Sequence, residues 1–444
     1  MTRSGKLCIG LSLAITWLNG EGWRRPDSGI ENIHCADFYI DIAKRAEAAK
    51  LDFLFRPDSL FLDASRLSSA PGFSSLDPSL LLTAIAQETQ RIGLVSTAST
   101  SFYPPYVVAR QIQSLNWLSR GRAGWNIVTS MDGSDNFSDE PMLSSADRYA
   151  KAREFTDVVQ ALWASYPDEA LVLDRANGLY ADADKVQPIH HRGRHFSVEG
   201  PLTVPTYPGA KIPFFQAGAS EWGRDFAARV AHGVFAAAPD IAAGVDLRAD
   251  LRSRARAHGR DPDDLRVLPG LSLFLGDTDS EARDLYAQTH AGQNLQRKQA
   301  YVLENLGLDV GALPADMPIM PDRLPKLNRP VRSRTHADLL LRLIERETPT
   351  VSELLDRPEV SGSAHWLFVG TPQDAAREIA RWVEAGAGDG FIALPGGSAR
   401  SMQLLFERLV PQLIEDGLFD ADYRGGNFAE HLGIQGLECS REQA

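Results

Sequence analysis

Gly121-Arg122-Ala123-Gly124-Trp125-Asn126-Ile127-Val128-Thr129-Ser130 is the stretch whose reading decides the fold. Apolar residues of strand type occupy 122–128, and the polar Asn126, Thr129 and Ser130 interrupt and end the run before the polar segment 131–139. Such a pattern predicts a buried strand with hydrogen-bonding side chains near its end, which is how the strands of a parallel barrel furnish a site.

The same rhythm extends in both directions. Short apolar runs at 7–15, 52–55 and 92–96 precede it, each followed by a helical pattern: 36–51, 79–89 behind Asp77-Pro78, and a third helix opened by Pro104-Pro105 that carries Val108, Ile112 and Leu115. After it come a long helix at about 146–165, strands at 213–216, 234–238 and 266–275, and helices at 223–232 and 245–258. Helices near 337–347 and 352–355, a strand at 366–369, a helix at 374–385, a strand at 391–394 and a helix at 401–415 complete the alternation. Two segments fall outside it. Residues 174–209, rich in Gly, Pro and His, predict an inserted hairpin around 195–198 and 202–204. From about 291 to 335, Pro314, Pro318, Pro321, Pro325 and Pro330 break any long element, as expected of an insertion or lid.

Eight such units, without a Gly-x-Gly-x-x-Gly turn after the first strand, imply a (β/α)8 TIM barrel with insertions, in one domain over 1–444, rather than an open dinucleotide-binding sheet. A length of 444 residues is compatible with one elaborated barrel. The net charge of −12 argues against nucleic acid, whose phosphates need a basic face. Cys8, Cys35 and Cys439 are too few and too scattered for a disulfide framework, which points to a reducing, cytoplasmic setting. The apolar run 7–18 follows Arg3 and Lys6, but Ser12 and Thr16 interrupt it and no small-residue cleavage site follows, so it reads as the first strand and not a secretion signal. No stretch approaches the roughly 20 apolar residues of a membrane span.

Barrel sites lie at the C-terminal ends of the strands. Those ends hold Trp17, Asp58, Thr97 to Thr100, Asn126 to Ser130, Gln216 to Ser220 and Pro395 to Gly397, and they lack the paired carboxylates or lysine of many barrel hydrolases and aldolases. Asn126 within an apolar strand stands out, because a buried amide without partners costs roughly 1–3 kcal/mol. Ser220 is placed to cap a helix. Trp17, Phe102 and Trp366 are candidates for a substrate pocket. The His190-His191 and His195 cluster has only Glu199 as a nearby carboxylate and is read as a hairpin surface, so no metal is expected. Gly396-Gly397-Ser398 is a weak phosphate-cradle signal, equally a plain turn.

At Ser119 to Ser130, Asp147-Arg148-Tyr149 with Glu154-Phe155, Gly200-Pro201-Leu202, Gln216-Ala217-Gly218-Ala219-Ser220 and Asp389-Gly390-Phe391, the chain resembles the bacterial luciferase-like flavin-dependent monooxygenases. Within them it is most similar to the branch of nitrilotriacetate monooxygenase component A, dibenzothiophene-sulfone monooxygenase, long-chain alkane monooxygenase and pristinamycin IIA synthase. The resemblance implies a two-component monooxygenase. A separate NAD(P)H:FMN reductase supplies reduced FMN, and O2 oxidises a small organic substrate through a flavin C4a-hydroperoxide. It places FMN contacts at Asp58, Thr97, Thr100, Asn126, Thr129, Ser130, Tyr149, Ala219 and Ser220, with Asn126 the one candidate for a catalytic part. It also implies a homodimer or homotetramer. Arg56-Pro57, just before Asp58, is less apolar than the family's usual pattern. His34 and His365 are candidate proton carriers.

Two other readings keep the flavin site: hydride transfer with F420 or another flavin on the same barrel, and a non-catalytic flavin-binding protein. The substrate is not legible. The acidic chain weighs against a polyanion, unless an arginine cluster at Arg323, Arg329, Arg332 and Arg334 reverses that locally.

Overall fold

The computed structural model describes residues 5–218, 220–292, 295–325, 334–361 and 364–434. The first strand, β1 (Cys8–Ser12), is fully buried and runs into a short turn of 3-10 helix that holds Trp17. Helix α1 (Ala36–Ala48) leads to β2 (Phe53–Arg56). Helix α2 (Pro78–Glu88) starts where its sequence says: Pro78 needs no amide partner in the first turn, and the Asp77 carboxylate accepts from Leu80 N at 3.0 Å. Then follow β3 (Gly93–Ser99), α3 (Pro105–Leu118), β4 (Ala123–Val128) and the 20-residue α4 (Ser145–Ala164).

Two small antiparallel hairpins interrupt the alternation: β5 (Leu171–Asp174) with β6 (Leu179–Ala181), and β7 (His191–Arg192) with β8 (Ser197–Val198). Residues 202–204, expected in a strand, form none. The barrel resumes with β9 (Phe214–Gln216), α5 (Glu221–Val230), β10 (Gly233–Ala236), α6 (Ile241–Ala257) and β11 (Arg266–Leu275).

After α7 (Asp279–His290), the segment expected to be irregular contains α8 (Leu295–Leu306). Its prolines begin only at Pro314, so nothing prevents a helix before them. Val302 and Leu306 of α8 bury against Leu340, Leu343 and Ile344 of α9 (Arg334–Glu347). Past these lie β12 (Trp366–Gly370) and β13 (Gly390–Pro395).

Eight strands close a parallel ring in the order β1, β2, β3, β4, β9, β10, β11, β13 and back to β1. The sequence pattern includes 366–369 in the alternation, but β12 hangs outside the ring. Strand β11 has ten residues, β10 pairs only with Arg266 to Pro269, and the edge left over at Leu271 to Leu275 takes β12.

Alternation along the strands sorts side chains. Phe53, Phe55, Val95, Phe215, Leu268 and Ile392 share a buried cluster with Phe428 and Leu432, whose chain closes the barrel's base. Trp125, Ile127 and Phe214 pack against Phe155, Val158, Val159 and Leu162 of α4. Each such side chain stabilises by about 1.5–3 kcal/mol. Among the described residues, no helix is long and apolar enough to cross a membrane.

Candidate functional site

Because Trp125 and Ile127 face the helices, Asn126 between them faces the barrel interior at the C-terminal half of β4. It is 2% exposed. Its Nδ2 donates to Thr97 Oγ1 at 2.9 Å, and Thr97 Oγ1 donates to the Arg56 carbonyl at 2.7 Å. This chain orients the amide, since a hydroxyl already donating elsewhere can only accept from Asn126. Asn126 Oδ1 is buried and has no hydrogen-bond partner among the described residues. A buried carbonyl oxygen in that state costs roughly 1–3 kcal/mol unless something donates to it. Its environment fits an N–H donor arriving from the barrel mouth.

Around it the hydroxyl-rich strand ends are mostly engaged. Ser99 and Ser130 share a hydrogen bond of 2.8 Å between their hydroxyls. Thr100 Oγ1 donates to the Val128 carbonyl at 3.1 Å. Thr129 is half-buried and makes no side-chain hydrogen bond among the described residues. Asp58 lies half-buried beyond β2, where burial holds its carboxyl above the usual range against the opposing effect of the Ser59 amide, and Asp77 adds to the rise. The Arg56 side chain turns the other way, over the Tyr39 ring at 5.1 Å, with a hydrogen bond to the Leu13 carbonyl. The Arg56 guanidinium is still near enough to Asp58 to pull its carboxyl down slightly, an effect smaller than that of burial.

A second polar group forms where α4 meets the start of α5. Tyr149, in the first turns of α4, stacks obliquely on Phe226 at 5.7 Å, and Gln216 Nε2 lies 3.4 Å from its hydroxyl oxygen. The approach is close: a Cβ on Gly218 would stand 2.3 Å from that oxygen, and one on Gly223 2.7 Å away. Ser220 Oγ accepts from Gly223 N at 3.1 Å and caps α5. The first-turn amides of α5 and its positive dipole end open beside them, a setting that suits an anion. Ala219 lies outside the described residues. Gln216 stood in the quoted motif without a role; its signal was an amide at a strand end two residues before a glycine.

The substrate-pocket candidates separate. Phe102 stacks on Phe137 at 4.6 Å and lines a cavity of about 700 Å³ with Tyr103, Tyr106, Lys151 and Phe196. Lys151 Nζ donates to the Ser101 carbonyl at 2.7 Å, and burial lowers its pKa. Sequence reasoning passed over Lys151, since one lysine in a charged helix carries no signal. Trp17 is 1% exposed and packs beside Phe38 in the main core. Trp366 stacks on Trp382 at 3.9 Å in that same core.

The remaining candidates occupy other places. His34 bonds Ser74 at the surface, and His365 stacks on Phe235 at 5.1 Å. Glu154 gathers the histidine-bearing hairpin: it accepts from His195 N and Phe196 N and pairs with His191 Nε2 at 3.0 Å. Desolvation works to raise its pKa, but these donors hold it below the usual range. No cluster of three His, Cys, Asp or Glu among the described residues could hold a metal ion. At Gly396 and Gly397 a Cβ would run into Phe274, and into Leu285 and Thr289, so close packing against these side chains by itself accounts for glycine at both positions. Arg323 is exposed, while Arg329 and Arg332 lie outside the described residues, as does Cys439.

The family described as luciferase-like monooxygenase matches residues 25–389. N-acetyl-S-(2-succino)cysteine monooxygenase of Bacillus subtilis (strain 168) is 34% identical over 443 residues, covering 98% of each chain. Nitrilotriacetate monooxygenase component A of Aminobacter aminovorans is 35% identical over 449 residues, again 98% of each. A crystal structure of riboflavin lyase with modified FMN and riboflavin superposes with a TM-score of 0.83 at 28% identity, covering 97% of this chain and 96% of that one.

Proposed function

The chain belongs to the luciferase-like monooxygenase family, and from that premise we propose that it is the oxygenase of a two-component FMN-dependent system, taking reduced FMN from an NAD(P)H:FMN reductase and using O2 as co-substrate. The observation that carries the reading is Asn126 Oδ1, a buried acceptor with no donor among the described residues, held in one orientation by Thr97. A flavin ring edge offers the N–H this acceptor lacks. The names of relatives support the partner: one is component A of nitrilotriacetate monooxygenase, and two are subunits A and B of pristinamycin IIA synthase.

Asn126 holds the ring edge in this reading, and the Ser99–Ser130 hydroxyl pair offers a further donor or acceptor. Thr97 and Thr100 spend their hydroxyls on backbone carbonyls and fix the strand ends that carry these contacts. Asp58 and Thr129 border the same mouth. Tyr149, Ser220 and the first turn of α5 take the phosphate. Bound reduced FMN supplies the oxygen-activating chemistry, while the protein supplies position, hydrogen bonds and exclusion of water. That division accounts for strand ends without a nucleophile or an acid-base dyad. The first substrate class to test is a carboxylate-bearing small molecule, since the names N-acetyl-S-(2-succino)cysteine monooxygenase and nitrilotriacetate monooxygenase each describe one and Lys151 sets a cation in the wall of the aromatic cavity.

The test is anaerobic titration of the purified protein with photoreduced FMN beside reduced F420, followed by O2 and a panel of carboxylate-bearing substrates. We expect binding of FMNH2 and substrate-dependent O2 uptake coupled to product. Tight F420 binding without FMNH2 affinity would replace the reading by hydride transfer. FMNH2 binding with only uncoupled H2O2 release across the panel would replace it by a non-catalytic flavin binder.

A further inference from the structure

The amide of Gln216 ends β9 inside the protein, 2% exposed, and its two ends are distinguishable. Its Oε1 accepts the backbone N–H of Gly218 at 2.7 Å, which only an oxygen can do. The Nε2 end therefore faces Tyr149, and the contact of 3.4 Å runs from amide N–H to hydroxyl oxygen. An oxygen that receives this proton cannot direct its own hydrogen back along the same line. Tyr149 makes no other hydrogen bond among the described residues, and its oxygen lies against Gly218 and Gly223 at the mouth of α5. Its O–H hydrogen is thus turned away from Gln216, beside Gly223 in the first turn of that helix. There the ligand it can meet is an acceptor, and the helix end favours one that is negative.

We propose that Gln216 is a positioning residue that sets Tyr149 as an outward hydrogen-bond donor and so makes this site select a phosphate monoester, choosing FMN over riboflavin. The inference rests on the flavin reading above and goes beyond it in giving the site a polarity and a residue that imposes it. Gln216 acts through Tyr149 and Gly218. No contact between Gln216 and the ligand is required.

The chemistry distinguishes two substitutions. Gln216→Glu keeps shape and the acceptor for Gly218 but replaces the donor by a second acceptor, which draws the Tyr149 hydrogen inward. Gln216→Met removes both bonds. Reduced FMN and reduced riboflavin are each titrated anaerobically, by flavin fluorescence, against the wild type, both Gln216 variants, Tyr149→Phe and the double variant Tyr149→Phe/Gln216→Met.

The wild type is expected to prefer FMN. Each single substitution should lower FMN affinity about tenfold, the worth of one hydrogen bond to a charged group. Riboflavin affinity should stay within about twofold, which serves as the internal control for folding. The double variant should bind FMN no more weakly than Tyr149→Phe alone. Unchanged FMN-to-riboflavin ratios in the Gln216 variants, or losses that multiply in the double variant, overturn the inference while the flavin reading stands. Equal wild-type affinity for both flavins overturns the phosphate preference alone. Failure to bind either flavin removes the inference and the flavin reading together. Should Gln216→Met not fold, the isosteric Gln216→Glu, alone and combined with Tyr149→Phe, discriminates between the same outcomes.

Discussion

Arg122, immediately before β4, and Asn126 within it stand four residues apart, both 2% exposed, and they are built on opposite plans. Arg122, at the base, donates to the carbonyls of Ser119, Ile92, Ala86 and Thr89 and to the Thr89 hydroxyl, all between 2.7 and 3.0 Å. Burial pushes its pKa down to about 10, which still leaves it charged at neutral pH. Asn126, at the mouth, keeps one acceptor unmatched. A saturated buried group serves the fold. A buried group with one bond missing raises the free energy of the empty protein and lowers it again when a ligand completes the set. Every donor of Arg122 is thus met by the chain's own groups, and the Asn126 acceptor is not.

Arg122→Met gives the largest effect expected from this contrast. It strands several buried carbonyls and a hydroxyl, so denaturant unfolding should show a loss of roughly 3–5 kcal/mol, while flavin affinity of the folded protein stays near the wild type. A parallel loss of flavin affinity would erase the division between base and mouth. Asn126→Ala should act in the reverse sense. Reduced-FMN affinity is expected to fall roughly 10- to 100-fold, yet stability should change by about 1 kcal/mol or less, because the amide already carries an unmet acceptor.

Two titrating groups sharpen the contrast further. His232 leads into β10 at the base, and its Nδ1 accepts from Phe214 N at 3.0 Å. Burial, with Arg260 and Lys211 nearby, pushes its pKa down to about 3. The folded state therefore refuses a proton that the unfolded chain takes up below its ordinary value near 6.5. Stability should fall as pH drops from about 6.5 toward 3, with a slope of up to one proton per molecule. Thermal melts across that range check it, and His232→Gln should flatten that part of the profile. Asp58, at the mouth, has its pKa raised by burial, so ionising it costs more in the folded state than in the unfolded one. Its replacement by Asn should raise the melting temperature slightly at pH 7, an advantage that disappears as pH falls through Asp58's folded pKa toward the ordinary carboxylate value. An advantage that grew at low pH would reverse the assignment of cause.

Much of the barrel is legible in the chain because its rules are local. Two-residue alternation in the strands, Asp77-Pro78 before α2 and Pro104-Pro105 before α3 each act within a few residues. Helix α8 escapes a reading that spreads the effect of the prolines over the whole insertion, although all of them follow the helix. The place of β12 depends on β11 being longer than β10, a relation between strands that no single window contains. Among candidate site residues, Asn126, Thr97, Ser130, Tyr149 and Ser220 are visible as polar groups at strand or helix ends. Trp17 and Trp366 meet the same positional criterion, but an aromatic ring at a strand end is equally able to turn into the core, and both do.

The sequence by itself determined a buried strand at Gly121 to Ser130, a parallel barrel through the strand-helix rhythm around it, and the end at which its polar groups gather, since hydrophobic period and turn chemistry are written in neighbouring residues. Tertiary structure alone decided which of those groups is left wanting. Whether Asn126 is satisfied depends on Thr97 and Arg56, and which way the Tyr149 proton points depends on Gln216 and Gly218. Hydrogen-bond direction is a property of partners brought together from different strands, so it appears only once the barrel has closed.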